Sequence, residues 1–336
     1  MPLQVLDANK YNEQGNEYIY SRFMNRTNPY WVLAEQFQNI RRDRIFGNIT
    51  LKYDILPWLY VQGRIGQDYW SRDQDYNNFP TGHASRAAAP AGFVNGLYTQ
   101  ESRRFRETNV DFLVSATKEF NDFGANLTFG GNQMRRRSDL NSVQVTDFVV
   151  RDLYTVQNGR AKDPLYDLNQ RGVNSLYGSA ELSYKRFLYL NGTLRNDWFS
   201  TLSPANRSIL YPSISASYVF SESFQAPSWL TFGKLRLAYA EVGSDTDVPA
   251  YSNILFYNIN SNLLANQPLG APNSTTLPNP DLRPMRISET EIGLELKFFK
   301  NRLTIDVAAY KKITADQIVQ AQISDASGFI DTRINS

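Results

Sequence analysis

The 336-residue chain has no cysteine, which removes disulfide frameworks, thiolate nucleophiles and cysteine-ligated zinc. It has one histidine, His83, so serine–histidine triads and histidine-based metal sites have almost no material. No window approaches 18 consecutive apolar residues, and a helical membrane span is excluded. The formal charge of +2, with basic residues scattered among acids, gives no footprint for a nucleic-acid partner. The opening Met1-Pro2-Leu3-Gln4 lacks the basic and apolar regions of a secretory leader, so none is read there.

What is present is a period-two rhythm. In Leu188 to Trp198, Leu188, Leu190, Gly192 and Leu194 fall on one parity, and Tyr189, Asn191, Thr193, Arg195 and Asp197 on the other. Ten such segments are read as strands: Arg44 to Asp54, Leu59 to Tyr69, Arg106 to Lys118, Phe123 to Met134, Leu176 to Lys185, Leu188 to Trp198, Ile209 to Phe220, Phe232 to Val242, Ser288 to Phe298 and Arg302 to Lys312. They form five hairpins, four with tight turns and one with the longer Ser221 to Thr231 link. Between hairpins run polar connections, Trp70 to Phe105, Arg135 to Ser175, Phe199 to Ser208 and Gly243 to Ile287, three of them far longer than ordinary loops. Strands of about 10 residues, with short turns at one end and long loops at the other, describe an all-β fold: an antiparallel transmembrane β-barrel portion.

Two patterns test that expectation. The central positions of one parity, such as Ile49, Leu51, Ile65, Val110, Phe112, Leu127, Phe129, Leu182, Leu190, Leu194, Ile214, Leu237, Ile292 and Val307, carry no charge. The other parity carries Lys52, Arg64, Asp111, Glu181, Arg195, Lys234, Arg236, Glu291, Glu295 and Asp306, as expected if one face meets lipid and the other a wet lumen. Aromatic residues flank every short turn (Trp58 and Tyr60; Phe120 and Phe123; Phe187 and Tyr189; Phe220 and Trp229; Phe298 and Phe299), fitting a periplasmic girdle. Tyr69, Trp70, Phe105, Trp198 and Phe199 are assigned to the outer girdle. A soluble β-sandwich also alternates, but its strands centre on about half this length.

Several words in order resemble the SusC/RagA family of TonB-linked outer-membrane transporters of Bacteroidetes-type bacteria. They are Asn28-Pro29-Tyr30-Trp31, Arg195-Asn196-Asp197-Trp198-Phe199-Ser200 with Tyr211-Pro212-Ser213, Trp229 to Arg236 running on to Glu241-Val242-Gly243, and Asn279-Pro280-Asp281-Leu282-Arg283-Pro284. Met285 departs from the family's usual Glu. The resemblance implies a 22-stranded barrel with an N-terminal plug. Ten strands, no plug and no TonB box are found, so the chain is expected to be a partial barrel domain over residues 1–336, with 1–43 mostly outer loop and 313–336 a truncated outer loop. The resemblance further implies uptake of glycans or peptides across the cell outer membrane, with a SusD-like lipoprotein and the TonB/ExbB/ExbD motor as partners of the intact protein. A passive porin and a soluble carbohydrate-binding β module are the alternative functions.

No residue is assigned to catalysis, to a metal or to a cofactor, and no enzyme activity is expected. His83 reads as a solvated loop residue. Glu289, Glu291 and Glu295 read as lumen carboxylates facing Lys297, Arg302 or a neighbouring strand. Asp245-Thr246-Asp247 lacks the remaining oxygens of a calcium loop and reads as polar loop. The clusters Arg41-Arg42-Asp43-Arg44, Arg103-Arg104-Phe105-Arg106 and Arg135-Arg136-Arg137 read as a solvated outer rim, with contact to anionic lipopolysaccharide groups or a partner as the alternative. Loop aromatics (Tyr30, Trp31, Trp70, Tyr76, Phe79, Tyr251, Phe256, Tyr257) leave stacking on a ligand and packing of loop on loop equally open, and substrate-contacting residues stay unassigned.

Overall fold

The computed structural model describes residues 3–20, 27–84, 93–245, 248–272 and 274–336; the side chains of 260–262 are not described. Fifteen strands are described: β1 Gln38–Leu56, β2 Leu59–Ala84, β3 Phe93–Phe120, β4 Phe123–Phe148, β5 Gly159–Tyr184, β6 Leu188–Phe199, β7 Ser208–Tyr218, β8 Leu230–Ser244, β9 Tyr257–Leu264, β10 Gln267–Pro272, β11 Thr276–Leu277, β12 Met285–Phe298, β13 Leu303–Ala315, β14 Ile318–Gln322 and β15 Asp331–Asn335. The described helices α1 (Leu3–Ala8) and α2 (Pro29–Glu35) are one or two turns long. None of the described helices is long and apolar enough to cross a membrane.

Ten strands form one sheet in the order β1-β2-β3-β4-β5-β6-β7-β8-β12-β13, with β1 and β13 at its ends. Each sequence-read strand is there, and several are much longer than read. β2 runs on to Ala84, β3 starts at Phe93, β4 ends at Phe148 and β5 starts at Gly159. Most of the expected loops Trp70 to Phe105 and Arg135 to Ser175 are therefore ladder. When both faces of a strand carry polar side chains the apolar alternation disappears, while the backbone hydrogen bonds that define the strand do not depend on it. The expected loop Gly243 to Ile287 likewise holds the β9–β10 hairpin, and β11 joins β14 and β15 in a small sheet. Thr314 and Ala315 belong to β13 rather than to the next loop.

Chain contacts divide the molecule into two units, residues 1–47, 67–107 and 136–169, and residues 48–66, 108–135 and 170–336. In the second unit the two faces are chemically opposite. Leu294 sits in register with Leu235 and Val307, and Ile292 with Leu237, all on one face, while Glu295 lies opposite Lys234 and Asp306 on the other. On the apolar face Phe112, Leu127, Phe129, Leu194, Ile214 and Val307 are exposed, an arrangement water would penalise and hydrocarbon would not. Gly178, Ala180 and Gly192 floor an apolar depression of about 830 Å³ on it, walled by Leu127, Phe129, Leu194 and Ile214.

The turn ends of β4 to β8 carry a continuous aromatic chain. Ring centroids run Phe123–Tyr184 at 4.6 Å, Tyr184–Phe187 at 5.5 Å, Phe187–Tyr218 at 6.1 Å, Tyr218–Phe220 at 6.3 Å and Phe220–Phe224 at 6.2 Å. Gly233 makes room for this belt, since a Cβ there would lie 2.2 Å from the Phe220 ring. The expected outer girdle is different. Trp70 and Phe105 stack on each other at 5.3 Å on the charged face, and Phe199 is 4% exposed in a core with Val173, Leu202, Ile209, Tyr211, Val248, Leu282 and Ile318. The parity of Trp70 is that of Arg64, so its placement was legible in the alternation.

Candidate functional site

The charged face of the second unit is a ladder of cross-strand ion pairs. Arg64 on β2 meets Asp111 on β3 at 3.1 Å, and Asn132 on β4 donates to the same carboxylate at 2.9 Å. Further on, Glu295 of β12 takes Lys234 at 3.0 Å, Lys297 at 3.3 Å and Arg236 at 3.5 Å, while Arg236 also reaches Asp306 at 2.8 Å. Of the three sequence-read carboxylates, Glu295 faces lysines and arginine as expected, with Arg236 and Lys234 in place of Arg302. Glu291 and Glu289 lie in register with Ala238 and Ala240. Partly exposed pairs of this kind add little stability each and build a wet wall on which charges of both signs alternate across strands.

In the first unit the same face carries a four-layer brace across four strands. The Arg42 guanidinium lies 4.5 Å from the Trp70 ring, Trp70 stacks on Phe105 with planes 10° apart, and Arg136 covers Phe105 at 5.7 Å. Glu107 holds Arg136 at 2.7 Å, and Arg44 pairs with Asp68 at 2.8 Å. Tyr76, on β2, donates to Glu101 at 3.1 Å. Cation–π contact and ion pairing thus use Trp70 internally, which answers the open question about that ring in favour of packing.

Two buried polar centres explain most of the sequence words. Asn28 caps α2, its Oδ1 accepting from the Tyr30 N–H at 3.0 Å, with Pro29 at the first helical position. Its Nδ2 donates to Leu6 O and Asn9 O, and its own N–H donates to Glu17 Oε1 at 2.7 Å. Glu17, 1% exposed, also accepts from the Ala84 N–H at 2.9 Å. His83 is buried rather than solvated: Nδ1 approaches Glu17 Oε2 to 2.9 Å, off the in-plane hydrogen-bond direction, and the ring stacks on fully buried Trp31 at 5.5 Å. Gly82 enters this site with φ +86°, where a Cβ would meet Asn16 Oδ1 at 2.6 Å. Tyr11 donates to Glu35 at 2.6 Å, and that bond, with partial burial, pushes its hydroxyl up to about 12. Burial likewise raises Tyr154.

The second centre is Arg195, Asp197 and Tyr211. Arg195 donates to Asp197 at 2.8 Å and to Ser175 at 2.8 Å, and Tyr211 donates to Asp197. Beside them Asp245, fully buried, accepts from Arg171 and from the Thr201 hydroxyl at 2.5 Å. Its carboxylate is therefore committed to structure rather than free loop; Thr246 and Asp247 lie outside the described residues. Leu282 of the Asn279 to Pro284 word is buried in the adjoining core, Asn279 donates to Arg333 O at 2.8 Å, and Asn335 clasps Arg283 through its N–H and carbonyl. The partners of Asp245, Asn279 and Arg283 lie 44 to 74 residues away in sequence, a separation that no local pattern encodes. Trp31 is a packing residue, whereas Phe79, 5.2 Å from His83, is exposed, as are Tyr251, Phe256 and Tyr257. Among the described residues no three His, Cys, Asp or Glu gather as a metal site.

The family model for the TonB dependent receptor-like β-barrel matches residues 4–335. This chain belongs to that family. The receptor barrel is 24% identical over 331 residues to TonB-dependent receptor P39 of Formosa agariphila, covering 95% of this chain and 30% of that protein. It is 23% identical over 328 residues to receptor P3 of the same organism, covering 96% and 32%. It thus spans about a third of the length of the curated relatives it matches. Among solved structures it is similar to the RagAB peptide transporter with TM-score 0.81 at 17% identity, over 97% of this chain and 36% of that one. The ferric-catecholate import receptor Fiu of E. coli aligns with TM-score 0.52 at 13% identity, over 90% and 43%. At these identities the structural likeness concerns the fold. The family is one of outer-membrane β-barrels, consistent with the exposed apolar face and the aromatic belt.

Proposed function

We propose that the chain is part of the barrel wall of a SusC-like, TonB-dependent importer that takes up oligopeptides or oligosaccharides through the outer membrane. The observation that carries the reading is the segregation of the sheet: cross-strand ion pairs on one face, exposed leucine, isoleucine and phenylalanine on the other. A charge on the apolar face would cost about 2–4 kcal/mol at mid-bilayer, whereas on a hydrated lumen wall it costs little. The better superposition on the RagAB transporter than on the ferric-catecholate receptor supports the SusC/RagA type. In the intact receptor a SusD-like lipoprotein would cover the mouth and the TonB motor would act on a plug. A passive pore has the same wall, and energy dependence separates the two. Uptake of labelled oligopeptide and oligosaccharide pools by cells carrying the full-length gene should fall to background when the proton gradient is collapsed. Uptake that persists at the same rate would establish a passive pore, and recovery of the full-length protein in the detergent-free soluble fraction would remove it from the membrane altogether.

A further inference from the structure

On the ion-paired face of the first unit, arginines outnumber their partners. Strands β1 to β4 carry Arg42, Arg44, Arg72, Arg103 and Arg136 there, against Asp68, Glu101 and Glu107. Asp68 is held by Arg44 and Glu107 by Arg136. Glu101 accepts the Tyr76 hydroxyl on one oxygen and stands 3.7 Å from Arg72 on the other. Asp43, Asp73, Asp75 and Asp139 have the opposite parity and turn to the other face. Among the described residues Arg103 makes no ion pair, the β5 carboxylates Asp163 and Asp167 included, and neither Arg72 nor Arg103 has an acceptor for its buried Nε.

These two arginines occupy facing positions. Arg64 meets Asp111 and Trp70 stacks on Phe105, which sets the antiparallel register of β2 and β3. In that register the residue two on from Trp70 along β2, Arg72, lies opposite the residue two back from Phe105 along β3, Arg103. Like charges directly opposite on a sheet are destabilising, and such a break of a local rule marks a functional position. Their surroundings supply no further anion. By the same counting from Arg44–Asp68 and Arg136–Glu107, the flanking positions on β1 and β4 are the apolar Ile40 and Leu140, and the neighbouring rings of Trp70 and Phe105 are already covered by Arg42 and Arg136. Two guanidinium forks with one nearby carboxylate, itself shared with Tyr76, match a second carboxylate brought from outside. Counted from the turn ends at Leu59 and Phe120, both arginines stand beyond the about 9–11 residues that cross hydrocarbon, at the outer mouth of the lumen wall.

We propose that Arg72 and Arg103 bind a carboxylate borne by the imported oligomer, which makes acidic oligomers the substrate class. The proposal deepens the importer reading above and rests on it. The test titrates the full-length receptor in neutral detergent with tetra-aspartate and tetragalacturonate, and with their uncharged counterparts, tetra-asparagine and the fully methyl-esterified tetragalacturonate. At least one acidic probe should bind at least about tenfold more tightly than its uncharged counterpart, since a charge-assisted contact is of that order, and the probe that does so names the source as peptide or saccharide. The inward variant Arg72→Gln, Arg103→Gln should abolish the preference. The outward variant Arg104→Gln, Arg106→Gln, on the opposite face, should bind within about twofold of the parent. No preference for either acidic probe would overturn the proposal, as would a preference that the inward variant keeps or that the outward variant loses equally. Should the inward variant lose its heat-modifiable folded band, Arg103→Gln alone, which breaks no ion pair, takes its place with an expected loss of about tenfold. Uptake that survives collapse of the proton gradient defeats the importer reading and leaves the site in a passive pore, whereas energy-dependent uptake with acidic binding indifferent to the inward variant defeats only the site.

Discussion

The two units differ in what they bury. The unit containing residues 170–336 keeps large apolar side chains on its surface, with Ile214 at 62% exposure and Val307 at 60%, and pairs its charges on the other side of the same strands. The unit containing residues 67–107 and 136–169 exposes apolar side chains too, Phe46 at 73% and Ile45 at 72%, but it also encloses a polar centre: Trp31 is fully buried, Glu17 and Asn28 are buried with both oxygens of the Glu17 carboxylate engaged, and Tyr98, Val145 and Phe148 form a small core. Single strands such as β3 contribute to both units. The lesson is that one strand can expose large apolar residues along one stretch, as β3 does at Phe112, and bury polar ones along another, as it does at Thr99.

The difference can be broken most severely at Trp31. Trp31→Ala should destabilise the first unit by about 3–5 kcal/mol, read as lost hydrogen-exchange protection across residues 3–20 and 27–37 of the full-length receptor, with β12 and β13 unaffected. Next comes the pair Leu237→Arg and Ala238→Arg. The first places a charge on the apolar face and should cost about 2–4 kcal/mol in bilayer-folded receptor; the second sets it opposite Glu291 and should change stability by less than about 1 kcal/mol. Equal effects from these adjacent residues would erase the two-faced reading.

A smaller effect is expected at Asp245. Asp245→Asn leaves Arg171 without its carboxylate and should cost about 1–3 kcal/mol, the partly exposed guanidinium recovering some hydration, with protease sensitivity appearing around residues 245–257. Smallest is Tyr11. Its hydroxyl is raised in the folded state, so its contribution is complete below the ordinary tyrosine value near 10 and is lost as pH climbs from there through about 12. Difference absorbance between the receptor and Tyr11→Phe should show a phenol ionising near pH 12, above the ordinary tyrosine value, with stability at neutral pH changed by about a few tenths of a kcal/mol, the size of an exposed hydrogen bond.

What the alternation carried was legible early: ten strands, their order, the face of each central residue and the aromatic belt beside the turns. Strand length was not, because β2 beyond Tyr69 and β4 beyond Met134 are polar on both sides and lose the period that marks a strand. His83 looked like a loop residue because its partners, Glu17 and Trp31, lie more than fifty residues upstream. Asp245 looked like a loop carboxylate for the same reason, with Arg171 and Thr201 both distant in sequence. The placement of Trp70 and Phe105 followed from parity and was masked by the expectation that rings near a strand's end face lipid.

The sheet order bears on how freely the receptor's outer surface can vary. Every neighbouring pair in the ten-stranded sheet is consecutive in the chain except β8 and β12, which are separated by the segment holding β9 to β11. Closing a loop costs only the logarithm of its length, about 0.6 kcal/mol for each doubling. The wall can therefore assemble by local hairpin additions, and within the Ser244 to Met285 segment the β9–β10 hairpin can change length at little cost, whereas Asp245, Val248 and Leu282 are held in buried contacts and cannot. A frame with one tolerant hairpin can vary its surface there while its strands keep their register.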